Sequence, residues 1–259
     1  MRRSLRGACG ALALVVGLVL ALAPARADSQ APAKPKFGPD AVPFYAAPDY
    51  LRSHAAPDWW ALSGFYVPQQ TSSACSLAAI VTVLNAFRGL PASAEEPIVT
   101  QAALLEKTGD EGWTAKVVEE GDGITFADLP VYLDESLKAY GLSGYAIEVV
   151  RPTADTPEEL ARLQALLAEN EASADDFLLV YFNQGVLTGD WDGPHVSPVG
   201  AYDAGSGRVL LLDVDREWYV PYWSSAEKLL QAMLRPAPAD QGVLAGQTGG
   251  LVRLKRVGS

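Results

Sequence analysis

Cys75 is the residue around which chemistry could be organised. It opens an apolar run, Cys75 to Phe87 (CSLAAIVTVLNAF), that reads as a helix buried on every side. A thiol at a helix start faces unpaired backbone N–H groups and the positive end of the helix dipole, and both favour the nucleophilic thiolate. A neighbouring imidazolium favours it more strongly, and the chain has two histidines from which to draw one. His54 lies beside Ala55-Ala56-Pro57 in a Pro- and Ala-rich stretch and reads as a solvated surface residue. His195 opens a strand after the Gly- and Asp-rich loop from Thr188 to Pro194, and it is the expected base.

An imidazole base needs an acceptor to orient it. The strands His195 to Tyr202 and Arg208 to Val214 form a hairpin across the turn 203–207. With Tyr202 facing Arg208, His195 falls opposite Asp215, and Asp213 is its diagonal neighbour on the same face. Periodicity narrows the orienter to these two carboxylates and leaves both open. Asp213 follows Leu210 to Leu212 and is the more buried of the two. An acyl-transfer site also needs donors for an oxyanion. The Cys75 backbone N–H is one, and Gln69, six residues earlier, is a candidate second.

These residues call for an α+β architecture, with helices first and an antiparallel sheet after them. Helices are expected over Ile98 to Lys107, Thr125 to Tyr140 and onward from Asp155-Thr156-Pro157, with Ser72 or Ser73 capping the Cys75 helix. Phe177 to Phe182 (FLLVYF) reads as a buried strand, Ser224 to Leu234 as a capped helix, and Gly250 to Val257 as a final strand.

Residues 1–27 read as a secretory signal: Arg2, Arg3 and Arg6, an apolar run from Ala11 to Ala23, then Ala25-Arg26-Ala27. Residues 28–50 read as an extended arm and 51–259 as one catalytic domain. Cleavage would leave Cys75 as the sole thiol, so no internal disulfide can account for it, and a zinc site built on several cysteines is excluded. It would also leave 16 basic against 31 acidic residues, a net charge of −15. Such a surface argues against nucleic acid and anionic membrane as partners. The expected location is periplasmic or secreted.

At these residues the chain resembles the phytochelatin synthase family of the papain-like clan. QQTSSACSLAAIVTVLNAF (Gln69 to Phe87) is similar to the family's block around its nucleophile, and HVSPVGAY followed by LLLDVDREWYVPYW is similar to its histidine and aspartate stretch. The resemblance implies a papain-like fold, a helical lobe whose nucleophile helix packs on an antiparallel sheet lobe. It implies Cys75 as nucleophile, His195 as base, Asp213 as orienter and Gln69 at the oxyanion. Arg216 and Tyr219 match family positions that hold the substrate's γ-glutamyl unit, and Asp240 matches a later aspartate if a gap is allowed. The implied substrate is glutathione, cleaved at its Cys–Gly bond through a γ-glutamylcysteinyl thioester. No cofactor or protein-bound metal is implied; Cd²⁺ or Zn²⁺ would enter as a glutathione thiolate complex. A homodimer is compatible with the resemblance.

The departures are Ala74, Pro194, Val196, Ala201, Trp218 and Val220, each replacing the family's usual residue. With no counterpart to the Cys-rich second half of the plant members, the chain is expected to favour hydrolysis over transpeptidation. The rival readings are a papain-like peptidase of the bacteriocin-leader type and a silent protein that binds a thiol peptide.

Overall fold

The computed structural model describes residues 34–258. The expected signal peptide and the first residues of the arm lie outside the described residues. Helices α1 (Asp49–Ser53), α2 (Pro57–Ser63), α3 (Cys75–Arg88), α4 (Gln101–Thr108), α5 (Glu111–Lys116) and α6 (Asp128–Ala139) precede α7 (Pro157–Asn170), α8 (Gln184–Thr188) and α9 (Ala226–Leu234). The strands are β1 (Val42–Pro43), β2 (Tyr145–Val150), β3 (Asp176–Asn183), β4 (Pro194–Asp203), β5 (Arg208–Leu211), β6 (Tyr222–Ser225) and β7 (Gly250–Arg256). All seven join one antiparallel sheet in the order β1-β6-β5-β4-β3-β7-β2.

The sheet is covered on both faces, which explains the unbroken apolar run of β3. Phe177, Leu179 and Tyr181 point into a core shared with α3 and α6. Leu178, Val180 and Phe182 point into a second core shared with α7 and α9. A strand buried on both sides has no polar face to alternate with. Helix α3 is likewise buried all round, and its one amide, Asn85, is satisfied at both ends by the Val99 backbone, at 2.9 and 3.0 Å.

Several sequence expectations shift. Strand β1 precedes the helices and β2 lies between α6 and α7, so helices and sheet are less segregated than expected. Helix α4 starts at Gln101, three residues after Ile98, because Thr100 takes the cap by accepting from the Ala103 N–H. Ser224 belongs to β6, and Ser225 caps α9. The arm is no free lead-in over its described part. The Gly38 N–H donates to Thr188 O at 2.6 Å, Phe37 packs on Tyr219 and Tyr222, and β1 pairs with β6.

The hairpin differs twice from the expected register, and the differences cancel. Its turn is one residue shorter, so Asp203 pairs with Arg208 and Tyr202 with Val209. A bulge between Val199 and Ala201 then moves the register back by one. Gly200 sits in that bulge, where a Cβ would come within 2.9 Å of the Leu212 side chain. Strand β5 ends at Leu211, so Asp213 lies beyond the ladder.

One buried acid lies apart from this hairpin. Asp58 in α2 is fully buried, and its carboxylate oxygens have no hydrogen-bond partner. Burial, then the charges of Glu171 and Asp176, push its carboxyl up to about 9. The unfolded chain ionises it near 4, so folding takes up a proton and stability falls as pH rises from about 4 to about 9. Asp58→Asn, which cannot ionise, is expected to raise Tm at pH 8 and to flatten the decline between pH 5 and pH 8. Thermal unfolding across that range checks this.

Candidate active site

Three elements bring a thiol, an imidazole and a carboxylate together. Cys75 begins α3, His195 sits near the start of β4, and Asp213 follows β5. His195 Nε2 lies 3.0 Å from Asp213 Oδ1. With Nε2 engaged, Nδ1 is the nitrogen left for the Cys75 thiol, which lines the same cleft and is near enough to raise the proton affinity of the ring. Phe182, paired with His195 across the sheet, meets the imidazole edge-on at 5.7 Å and fixes its plane. Burial alone would lower the affinity of His195 for its second proton. The charge and hydrogen bond of Asp213, with Cys75, outweigh that and hold the imidazolium well above the usual histidine range.

Asp213 is fully buried, so every lone pair matters. Oδ1 also accepts the Asp215 N–H at 2.9 Å, which turns the chain out of the sheet. Oδ2 accepts from Gln184 Nε2 at 2.7 Å, and Gln184 Oε1 in turn accepts the Tyr222 hydroxyl at 3.2 Å. Gln184 and Tyr222 escaped the sequence reading. Gln184 is the first residue of α8, and a buried glutamine directly after an all-buried strand was the available signal. Asp215, the competing candidate, is half-buried and offers the network its backbone rather than its carboxylate.

The expected serine cap of α3 is not formed. Ala74 holds the N-cap position with no side-chain bond. The Ser73 hydroxyl donates to Gly121 O at 2.5 Å, and the Ser72 hydroxyl accepts the Glu120 N–H at 2.9 Å. Thr71 donates to Val117 O at 2.5 Å. These side chains clamp the loop before Cys75 onto residues 117–121, and no side chain caps the first N–H groups of the helix. Gln69 is tied by its backbone N–H to Val214 O at 2.8 Å, joining the thiol's loop to the carboxylate's segment. Its Nε2 makes only a long contact with Ser72 O at 3.4 Å.

These groups line a cavity of about 510 Å³ that includes Gln69, Cys75, Tyr181, His195 and Tyr219. That volume suits a small ligand. Tyr219 forms wall, since its hydroxyl donates to Asp190 at 3.1 Å and its ring packs on Phe37. Arg216 is not among the lining residues. Its guanidinium stands 5.3 Å over the ring of Tyr66, whose hydroxyl donates to the Asp213 carbonyl. Asp240 is exposed and outside the lining as well. His54 is exposed and stacks on Tyr50. Among the described residues no group of three or more His, Cys, Asp or Glu is placed to hold a metal ion, and no helix is long and apolar enough to cross a membrane.

A thiol at a helix start, facing an imidazole oriented by a buried carboxylate across an antiparallel sheet, defines a cysteine acyl-transferase or peptidase. The chain belongs to the phytochelatin synthase family, whose model matches residues 49–242. No curated protein matches it. Among solved structures it is similar to the avirulence protein AvrPphB of Pseudomonas, at 12% identity and a TM-score of 0.31, over 74% of this chain and 98% of that one.

Replacing the Asp213 charge should separate orientation from burial. In Asp213→Asn the His195 imidazolium is expected to titrate at least about one unit lower than in the wild type. Imidazole NMR checks this, and alkylation of Cys75 by iodoacetamide at pH 6.5 should slow at least about tenfold in parallel.

Proposed function

We propose that this chain cleaves the Cys–Gly bond of glutathione through a γ-glutamylcysteinyl thioester on Cys75, releasing glycine and then γ-glutamylcysteine. The observation that carries the proposal is the convergence of Cys75, His195 and Asp213 on a cleft sized for a small peptide, in a chain of the phytochelatin synthase family.

Cys75 attacks the amide carbon as the thiolate, its proton held on His195. The tetrahedral oxyanion is met by the Cys75 N–H at the uncapped helix start and by Gln69 Nε2, which has only its long contact with Ser72 O to give up. His195 hands the proton to the departing glycine nitrogen, and Asp213 keeps the ring in register through both transfers. Water or a second glutathione then takes the acyl group. We assign Tyr219 to the cleft wall, and Arg216 to positioning Asp213 through Tyr66. Cd²⁺ or Zn²⁺ would enter as a complex with the substrate's thiolate. The features of residues 1–27 support a periplasmic or secreted location.

Purified protein incubated with glutathione is expected to release one glycine for each γ-glutamylcysteinyl unit passed to water or to a second glutathione. Cys75→Ala and His195→Ala should reduce glycine release to the rate without enzyme. Absence of glycine from the wild-type protein, with or without Cd²⁺, overturns the reading.

A further inference from the structure

Beyond the imidazolium of His195, the charged side chains around the Cys75 cleft are all acidic. Glu119, Asp122, Asp190, Asp215 and Glu217 line it, and no Lys or Arg does. Asp190 is neutralised from outside by Lys34 at 3.6 Å and Lys36 at 3.1 Å. Among the described residues the other four form no ion pair, and Arg216, the neighbouring cation, is drawn off over Tyr66. Glu119 accepts the Ser72 N–H at 3.0 Å. Unpaired carboxylates gathered from two separate segments repel one another and favour a cationic occupant.

A second observation points to a ligand in the same place. Tyr181 is 2% exposed, its hydroxyl has no hydrogen-bond partner, and it lines the cleft near enough to Cys75 to interact with its charge. A buried hydroxyl without a partner is costly. An acyl oxygen on the Cys75 sulfur would accept from it. The cleft therefore offers a donor on the acyl side and anions around the entrance.

The γ-glutamylcysteinyl group is a zwitterion and tolerates such a rim, while the glycine carboxylate leaves the cleft readily. A second glutathione, like the first, brings a net negative charge to this rim, whereas a cation is drawn to it. Resting on the glutathione reading above, we infer that the acceptor this cleft selects is a primary amine bearing a further positive charge, of the polyamine class. Its neutral amine attacks the thioester carbon, a C–N bond forms and the C–S bond breaks. The amine proton passes to His195 and Cys75 departs as thiolate. The net reaction exchanges glycine for the amine in an amide bond, with no redox step. Tyr181 donates to the thioester oxygen, and the rim carboxylates hold the remote ammonium.

The test incubates the full chain with glutathione and spermidine and resolves products by mass. The amide of γ-glutamylcysteine with spermidine is expected to form about tenfold faster than γ-glutamylcysteine oligomers at low salt, within the range that charged clefts confer. The advantage should shrink in 0.5 M NaCl. The double substitution Asp122→Asn with Glu217→Gln should lower spermidine transfer about tenfold and raise oligomer formation, a reciprocal change that a merely structural role would not produce. Calorimetry of spermidine with Cys75→Ala protein reads the rim without any acylation, and binding should be lost in the double variant. Glycine release with no amide product, or an equal loss for both acceptors, overturns the inference and leaves the glutathione reading standing. No glycine at all, with no spermidine binding to Cys75→Ala, overturns both.

Discussion

The buried carboxylate of Asp213 is the constraint on which the site rests. A charge this far from water costs several kcal/mol unless it is paired and fully hydrogen-bonded. The protein meets that cost from three directions: His195 on β4, Gln184 at the start of α8, and the backbone of Asp215. Each partner is braced in turn. Tyr222 holds Gln184, Phe37 of the arm packs on Tyr222, and Tyr66 holds the Asp213 carbonyl. The sheet edge, the arm and the loop before α3 are therefore tied to one carboxylate.

The thiol side is built by the opposite device. Hydroxyls that could have capped α3 are spent on residues 117–121, which fixes the loop and leaves the helix start open toward the cleft. Side-chain caps usually add stability; here that stability is forgone where N–H groups face the sulfur. The rigidity comes instead from burial of α3 on every side and from the Gln69 backbone link to Val214.

How far the site was legible depended on whether its signal was local. Helix α3, the buried strand β3 and the positions of Cys75 and His195 follow from residue type and short-range periodicity, and they appear as read. The hairpin count placed the orienter among two carboxylates for a reason only half right. The turn is shorter than supposed and the bulge at Gly200 restores the register; the isolated glycine inside the strand was the available signal. Arg216 matched a family position, yet a flat, always-charged group beside an aromatic ring stacks on it, and Tyr66 lies far away in sequence.

From the sequence alone came the reacting groups and their order: a thiol at a helix start, a histidine opening a strand, and a short list of carboxylates. Those follow from composition and periods of a few residues. The tertiary structure decided which carboxylate turns inward, which glutamine 29 residues away holds it, which tyrosine 38 residues from that glutamine braces it, and that the cleft is walled by acids. The reason is physical. A hydrogen bond to a buried charge and the sum of charges around a cavity depend on distances across the sheet, and no local pattern in the chain encodes those distances.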